Sequence, residues 1–173
     1  MKLMSFLAIL AVAVSAAGCS STPTPTTPSS TNQVKFVATL SPNNEVPAVT
    51  NADISGSGSA KITFNLTRDS AGAITAATAD FTVDLTGFPA GTVLTGAHIH
   101  HAASGQTAGV LVSTGIATGD VVLTNGSASF IKTGISMTAA DAQDMITNPS
   151  NYYFNVHSTI NLTGAARGQL VKQ

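Results

Sequence analysis

The chain has 173 residues, 9% of them charged and 43% hydrophobic, with seven Lys and Arg against eight Asp and Glu, one Cys and no Trp. So little charge, without a basic cluster, excludes nucleic acid as a partner, since its binding needs several cations to neutralise phosphates. The abundance of Thr, Ser, Ala, Gly and Asn excludes a helical bundle and suits one domain of short strands joined by tight turns.

In chain order, "MKLMSFLAILAVAVSAAGCS" opens with Lys2 and an apolar run from Leu3 to Val14, followed by the small residues Ser15, Ala16, Ala17 and Gly18. The run is too short to span a bilayer, and its flanks are those of an export signal. Ala16-Ala17-Gly18-Cys19 resembles a bacterial lipobox. That resemblance implies a signal peptide over residues 1–18, a lipid-modified Cys19 as the first mature residue, and a place in the bacterial cell envelope. The membrane is then a partner through the anchor on Cys19, and Ser20 behind it fits an outer-membrane destination, again by resemblance. Cys19 is the sole cysteine, so the mature domain has no internal disulfide. The next segment, "SSTPTPTTPSSTN" over residues 20–32, has frequent Pro and no apolar residue, which reads as an extended, solvated tether. The folded domain is expected over residues 33–173.

From Gln33 onward the period is two. Segments 34–40, 58–66, 74–85, 92–100, 109–114, 126–135, 152–158 and 168–172 are short, rich in Val, Ile, Thr and Phe, and bounded by turn residues. About eight such strands predict an all-β sandwich or closed barrel. "SMTAADAQDMITNPS" breaks the pattern: Thr138 as N-cap, Asp141 three residues on and Pro149 beyond the end predict a short helix near 139–147.

Three of the four histidines fall within "GAHIHHAAS", residues 96–104. Residues two apart on a strand share a face. Burying Ala97, Ile99, Phe154 and Val156 therefore turns His98, His100 and His157 away from the core, with Tyr153 and Asn155 beside them. Parity alone does not make the two strands neighbours. If they are, three imidazoles converge within reach of one ion, at roughly 2 Å per ligand. Imidazole suits copper, zinc, nickel and iron, so the ligand set does not name the metal. Histidines serving only as hydrogen-bonding groups are the alternative. His101 has the other parity and reads as a loop residue.

"FVATLSPNNEVPAV" (36–49), "GAHIHHAASGQTAGVLV" (96–112), "YYFNVHS" (152–158) and "GAARGQL" (164–170) together resemble the CHRD domain, named after chordin, over nearly the whole mature domain. The resemblance implies a Greek-key, immunoglobulin-like β-sandwich and supplies little function. Phe154 ahead of "NVH" and Ala166 ahead of "RGQL" depart from the family pattern without touching the histidines. A more distant similarity links the "HIH" segment, "FNVH" and "GAARGQLV" to copper/zinc superoxide dismutases, in which a His-x-His pair and a later His bind copper under an Arg. It implies copper on His98, His100 and His157, with Arg167 as the anion-steering catalytic group. No bridging His, zinc ligand set or disulfide pair accompanies them here.

Nothing else has a catalytic signature such as Gly-x-Ser-x-Gly or His-Glu-x-x-His. Asp80 and Asp84 read as a solvated strand face, and Glu45 as a partner for Arg167 or a backbone cap. Arg167 also has a structural reading, bridging carbonyls or a carboxylate. Three functions stay open: an envelope lipoprotein that binds one metal ion, copper before others; a dismutase-type copper redox enzyme; and a structural or adhesive module without metal.

Overall fold

The computed structural model describes residues 32–173; the 1–18 signal segment, Cys19 and nearly all of the tether lie outside the described residues. The period-two segments form ten strands: β1 (Gln33–Leu40), β2 (Ser57–Arg68), β3 (Ile74–Thr86), β4 (Thr92–His101), β5 (Val110–Ser113), β6 (Val122–Leu123), β7 (Ala128–Met137), β8 (Tyr152–Ser158), β9 (Asn161–Gln169) and β10 (Val171–Lys172). One antiparallel sheet runs β10-β1-β2-β3-β7. The second runs β5-β4-β8-β9, with β6 alongside the start of β4.

Alternation along β2 and β3 points Ala60, Ile62, Phe64, Ala79, Phe81 and Val83 into the sandwich and Lys61, Thr63, Asp80 and Thr82 away from it. The second sheet answers with Ala97 and Ile99 on β4 and with Phe154 and Val156 on β8, all fully buried. Phe81 and Phe154 meet between the sheets at 5.8 Å between ring centroids, and Phe36 packs on Phe64 at 4.8 Å. Each such side chain contributes about 1.5–3 kcal/mol by leaving water. On the outer face of the first sheet Asp80 accepts from Asn65 and the Gly134 amide, both at 2.8 Å, and Asp84 accepts from Ser129 at 2.6 Å, so these two acids are strand-face hydrogen-bond acceptors.

The helix forms where its signals stand. Helix α1 (Ala139–Thr147) is capped by Thr138, whose hydroxyl accepts from the Asp141 amide at 3.0 Å, and it buries Ala142 and Met145.

The all-β sandwich expected from sequence is what forms, while the strand count and the place of His101 need correction. Among the described residues the sheets meet at a single isolated bridge, Ser41 to Arg167, so the fold is a sandwich and not a barrel. Among the described residues there are ten strands, not about eight, because the short β6 forms where no segment was expected and because segment 168–172 divides. Its start ends β9, and Val171 with Lys172 crosses to pair with β1 in the other sheet. The run Gly164-Ala165-Ala166-Arg167-Gly168 in β9 is buried on both faces, and such a strand carries no alternation to read. His101 is not in a loop: it ends β4, exposed, with its ring stacked on Tyr152 at 4.4 Å.

Candidate functional site

Strand register decides which distant residues meet. β4 and β8 are antiparallel neighbours that pair Gly96 with His157, His98 with Asn155, and His100 with Tyr153. Paired residues lie on one side of a sheet. His98, His100, Tyr153, Asn155 and His157 therefore share the face turned away from the core, and β9 adds Arg167 opposite Asn155.

The register is irregular around this patch, between Leu94 and Gly96, between Ile99 and His100, and between Val156 and Ser158. Such breaks twist a strand locally and re-aim its side chains. Gly96 is a further local requirement, because a Cβ there would stand 2.7 Å from Cε1 of His98. The glycine leaves the room in which that ring lies.

The face is not open to water. Asn44 and Glu45 from the β1–β2 connection, and Gln106 and Ala108 from the β4–β5 connection, roof it. Arg167 is 1% exposed, His100 4% and His157 9%, leaving His98 as the partly exposed member. Parity thus gives the side of the sheet correctly, but "outward" does not mean solvated.

His98 packs edge to face on His157 at 4.9 Å and on His100 at 5.7 Å between centroids, and His100 and His157 lie tilted to each other at 6.1 Å. One ring nitrogen from each lies within 4.8 Å of the other two. Nδ1 of His100 is 3.0 Å from the Ala108 carbonyl oxygen, and Nδ1 of His157 is 2.9 Å from that of Leu162. These carbonyls orient the rings and leave Nε2 as the inward nitrogen, the usual division of labour in a metal-binding imidazole. Both Nε2 atoms also approach Oδ1 of Asn155, at 3.0 Å from His100 and 3.1 Å from His157. Nδ1 of His98 is buried without a partner.

Burial disfavours charge on two of the rings, His98 and His157. Burial, then the neighbouring His157 and His100, push His98 down to about 4. Burial likewise lowers His157, against the opposing pull of the Leu162 carbonyl. Near neutral pH these two rings offer lone pairs and not charge.

Around the histidines lies a second polar shell. The Tyr153 ring has His100 stacked on one side at 4.7 Å, with an interplanar angle of 8°, and the Arg167 guanidinium on the other at 4.4 Å from its centroid. Arg167 donates through Nε to Asn44 O at 2.5 Å and through Nη1 to Gln106 O at 2.9 Å; its buried Nη2 has no partner. Glu45 stands 4.0 Å from Arg167 Nε, and burial raises its carboxyl to about 7 despite that charge. The pairing of Glu45 with Arg167 agrees with expectation, but it is loose because the guanidinium spends its best donors on carbonyls. Arg167 as an anion-steering group does not fit this placement: it is sealed from solvent and separated from His100 by Tyr153.

The structure therefore brings together all three histidines singled out from sequence and keeps Arg167 in the surrounding shell. Cys19 lies outside the described residues. Sequence parity placed Tyr153 and Asn155 on this face without a role; Asn155, spaced two residues before His157 and facing His98, is the residue whose importance was missed.

Compared with known proteins, residues 36–170 match the family model described as CHRD domain. No curated protein matches the chain.

Proposed function

The chain belongs to the CHRD domain family, and from that premise we propose that it is an envelope-anchored binding domain whose sandwich holds one metal ion, copper before others, on His98, His100 and His157. The observation that carries this reading is the convergence of three imidazole nitrogens within 4.8 Å, two of them oriented by backbone carbonyls. An orphaned, buried Nδ1 on His98 adds to it, because an unpaired polar atom out of water is costly unless something satisfies it.

The donor set fits an ion that accepts neutral nitrogen. A tetrahedral site with bonds of about 2.0–2.1 Å separates its ligand atoms by roughly 3.3 Å, so nitrogens that lie within 4.8 Å of one another close in by no more than about 1.5 Å around an ion. His98, at the partly exposed edge and with its ring on Gly96, has the freedom to supply that movement. Copper leads because imidazole sites bind Cu(II) more tightly than the other divalent first-row ions. Bound there, copper would supply Lewis acidity or a one-electron couple; the chain's residues hold it, fix its ligand orientation and exclude bulk water.

Attachment to the membrane through Cys19 belongs to the same proposal and is supported by the order of basic, apolar and small residues ahead of that cysteine. The tether would then set the domain off from the bilayer.

A second reading has one observation in its favour: the Asn155 side chain already contacts Nε2 of two of the three imidazoles, as it would in a metal-free structural module. Calorimetric titration of the full chain with Cu(II) and Zn(II) separates the two. One ion per chain, with affinity reduced at least a hundredfold in His157→Ala and in His98→Ala, supports the metal reading. Weak uptake that neither substitution changes leaves the structural module standing.

A further inference from the structure

We propose that Asn155 is a displaceable latch on the histidine site: its carboxamide nitrogen faces His100 and His157, covers both Nε2 lone pairs while no ion is bound, and turns away to admit one. The displacement rests on the metal reading above; the orientation of the amide does not.

The orientation follows from counting hydrogens. A backbone carbonyl only accepts, so Nδ1 of His100 and Nδ1 of His157, at 3.0 and 2.9 Å from Ala108 O and Leu162 O, must each carry a proton. A neutral imidazole has one N–H, so both Nε2 atoms are bare acceptors. Both point at the same terminal atom of Asn155, at 3.0 and 3.1 Å. An oxygen there would set its lone pairs against two others. A carboxamide nitrogen has two hydrogens, one for each ring, and a half-turn of the amide exchanges the two atoms.

The remaining way to satisfy an oxygen at that point is to protonate both rings. Two imidazolium ions with centroids 6.1 Å apart, beside the buried guanidinium of Arg167, would put three positive charges against the one carboxylate of Glu45. Desolvation makes that arrangement costly. Turning the nitrogen toward the imidazoles also serves the other end of the amide. Glu45 is close enough for the Asn155 side chain to act as its hydrogen-bond partner, and Glu45 Oε1 has no other. As a carboxylic acid it donates the hydrogen that the amide oxygen then accepts.

An ion that takes the two Nε2 lone pairs must first remove the amide from them. Entry therefore breaks two hydrogen bonds, and Asn155 weakens ion binding relative to a site without it. Loss of the amide should tighten binding roughly tenfold, the scale of one or two net hydrogen bonds.

Two measurements test this. The first is long-range 1H–15N correlation spectroscopy of the imidazoles in the unmodified, metal-free full chain at pH 6. His100 and His157 should both be Nδ1–H tautomers, with the Asn155 NH2 protons close to both rings; an Nε2–H on either ring overturns the orientation. The second is a Cu(II) titration of Asn155→Ala against wild type. Binding about tenfold tighter supports the latch, whereas unchanged or weaker binding overturns it and makes Asn155 a bystander or a positioning residue. If wild type binds no Cu(II), the metal reading and the displacement fall together, while the spectra still decide the orientation. If Asn155→Ala does not fold, Asn155→Ser takes its place in the titration.

Discussion

The outer face of β2 and β3 carries Lys61, Thr63, Asp80 and Thr82 at the boundary with water, whereas the outer face of β4 and β8 carries His98, His100, Tyr153, Asn155 and His157 under two loops. Both faces are polar and both back onto the same apolar core. β2 and β3 alternate between buried and partly exposed positions, but every residue of β8 is buried. The first face costs nothing to keep, because water satisfies it. The second removes imidazole, amide, carboxyl and guanidinium groups from water and must satisfy them internally. It does so incompletely, leaving single atoms of His98, Glu45 and Arg167 without partners. A fold that needed only stability would do as well with apolar residues there. The difference is what supports the proposed site on the second sheet.

The comparison breaks most severely if the layer the two faces share is damaged. Phe154→Ala removes the fully buried ring that meets Phe81, and is expected to lower stability by about 3–5 kcal/mol in denaturant unfolding. A loss below about 1 kcal/mol would mean that the sheets are not packed through this pair.

A smaller effect sharpens the contrast through pH. Glu45 has a folded pKa of about 7, above its ordinary 4.5, so between those values the folded chain binds the extra proton. Its stabilising contribution is complete below about pH 4.5 and is lost as pH rises through about 7. The loss is on the order of 3 kcal/mol. His98 has the opposite sign: lowered to about 4, it adds stability as pH rises from about 4 to 6.5. The two oppose each other in wild type. Urea unfolding across pH 4–8 should show Glu45→Gln gaining on wild type as pH rises through 4.5–7, and a difference that stays constant would remove the protonated Glu45 from the account.

The smallest effect belongs to the solvated face. Lys61→Thr, exposed on β2, should change stability by no more than about 0.5 kcal/mol and leave metal binding untouched. A large effect would show that this face also carries an interaction.

The sandwich was legible because apolar residues in β1 to β4 and in β8 alternate with polar ones, and the helix because Thr138 and Pro149 punctuate it. β9 was not legible: its small residues are buried on both sides and lack a period. The common face of His98, His100 and His157 was legible from parity. Their contact was not, since it depends on β8 pairing with β4 across more than fifty residues of chain. The roof over them was also hidden, because Asn44, Glu45, Gln106 and Ala108 stand in connections whose path no periodicity encodes. Asn155 was assigned to the correct face, and its meaning appears only once two Nε2 atoms are seen to share it.

The central claim is that three imidazoles hold one ion. Electron paramagnetic resonance of the full chain loaded with one equivalent of Cu(II) tests it most directly, since each bound nitrogen splits the copper signal. The account predicts coupling to three nitrogens in wild type and to two in His98→Ala. A spectrum of aqueous copper, or one that His98→Ala and His157→Ala both leave unchanged, would contradict it.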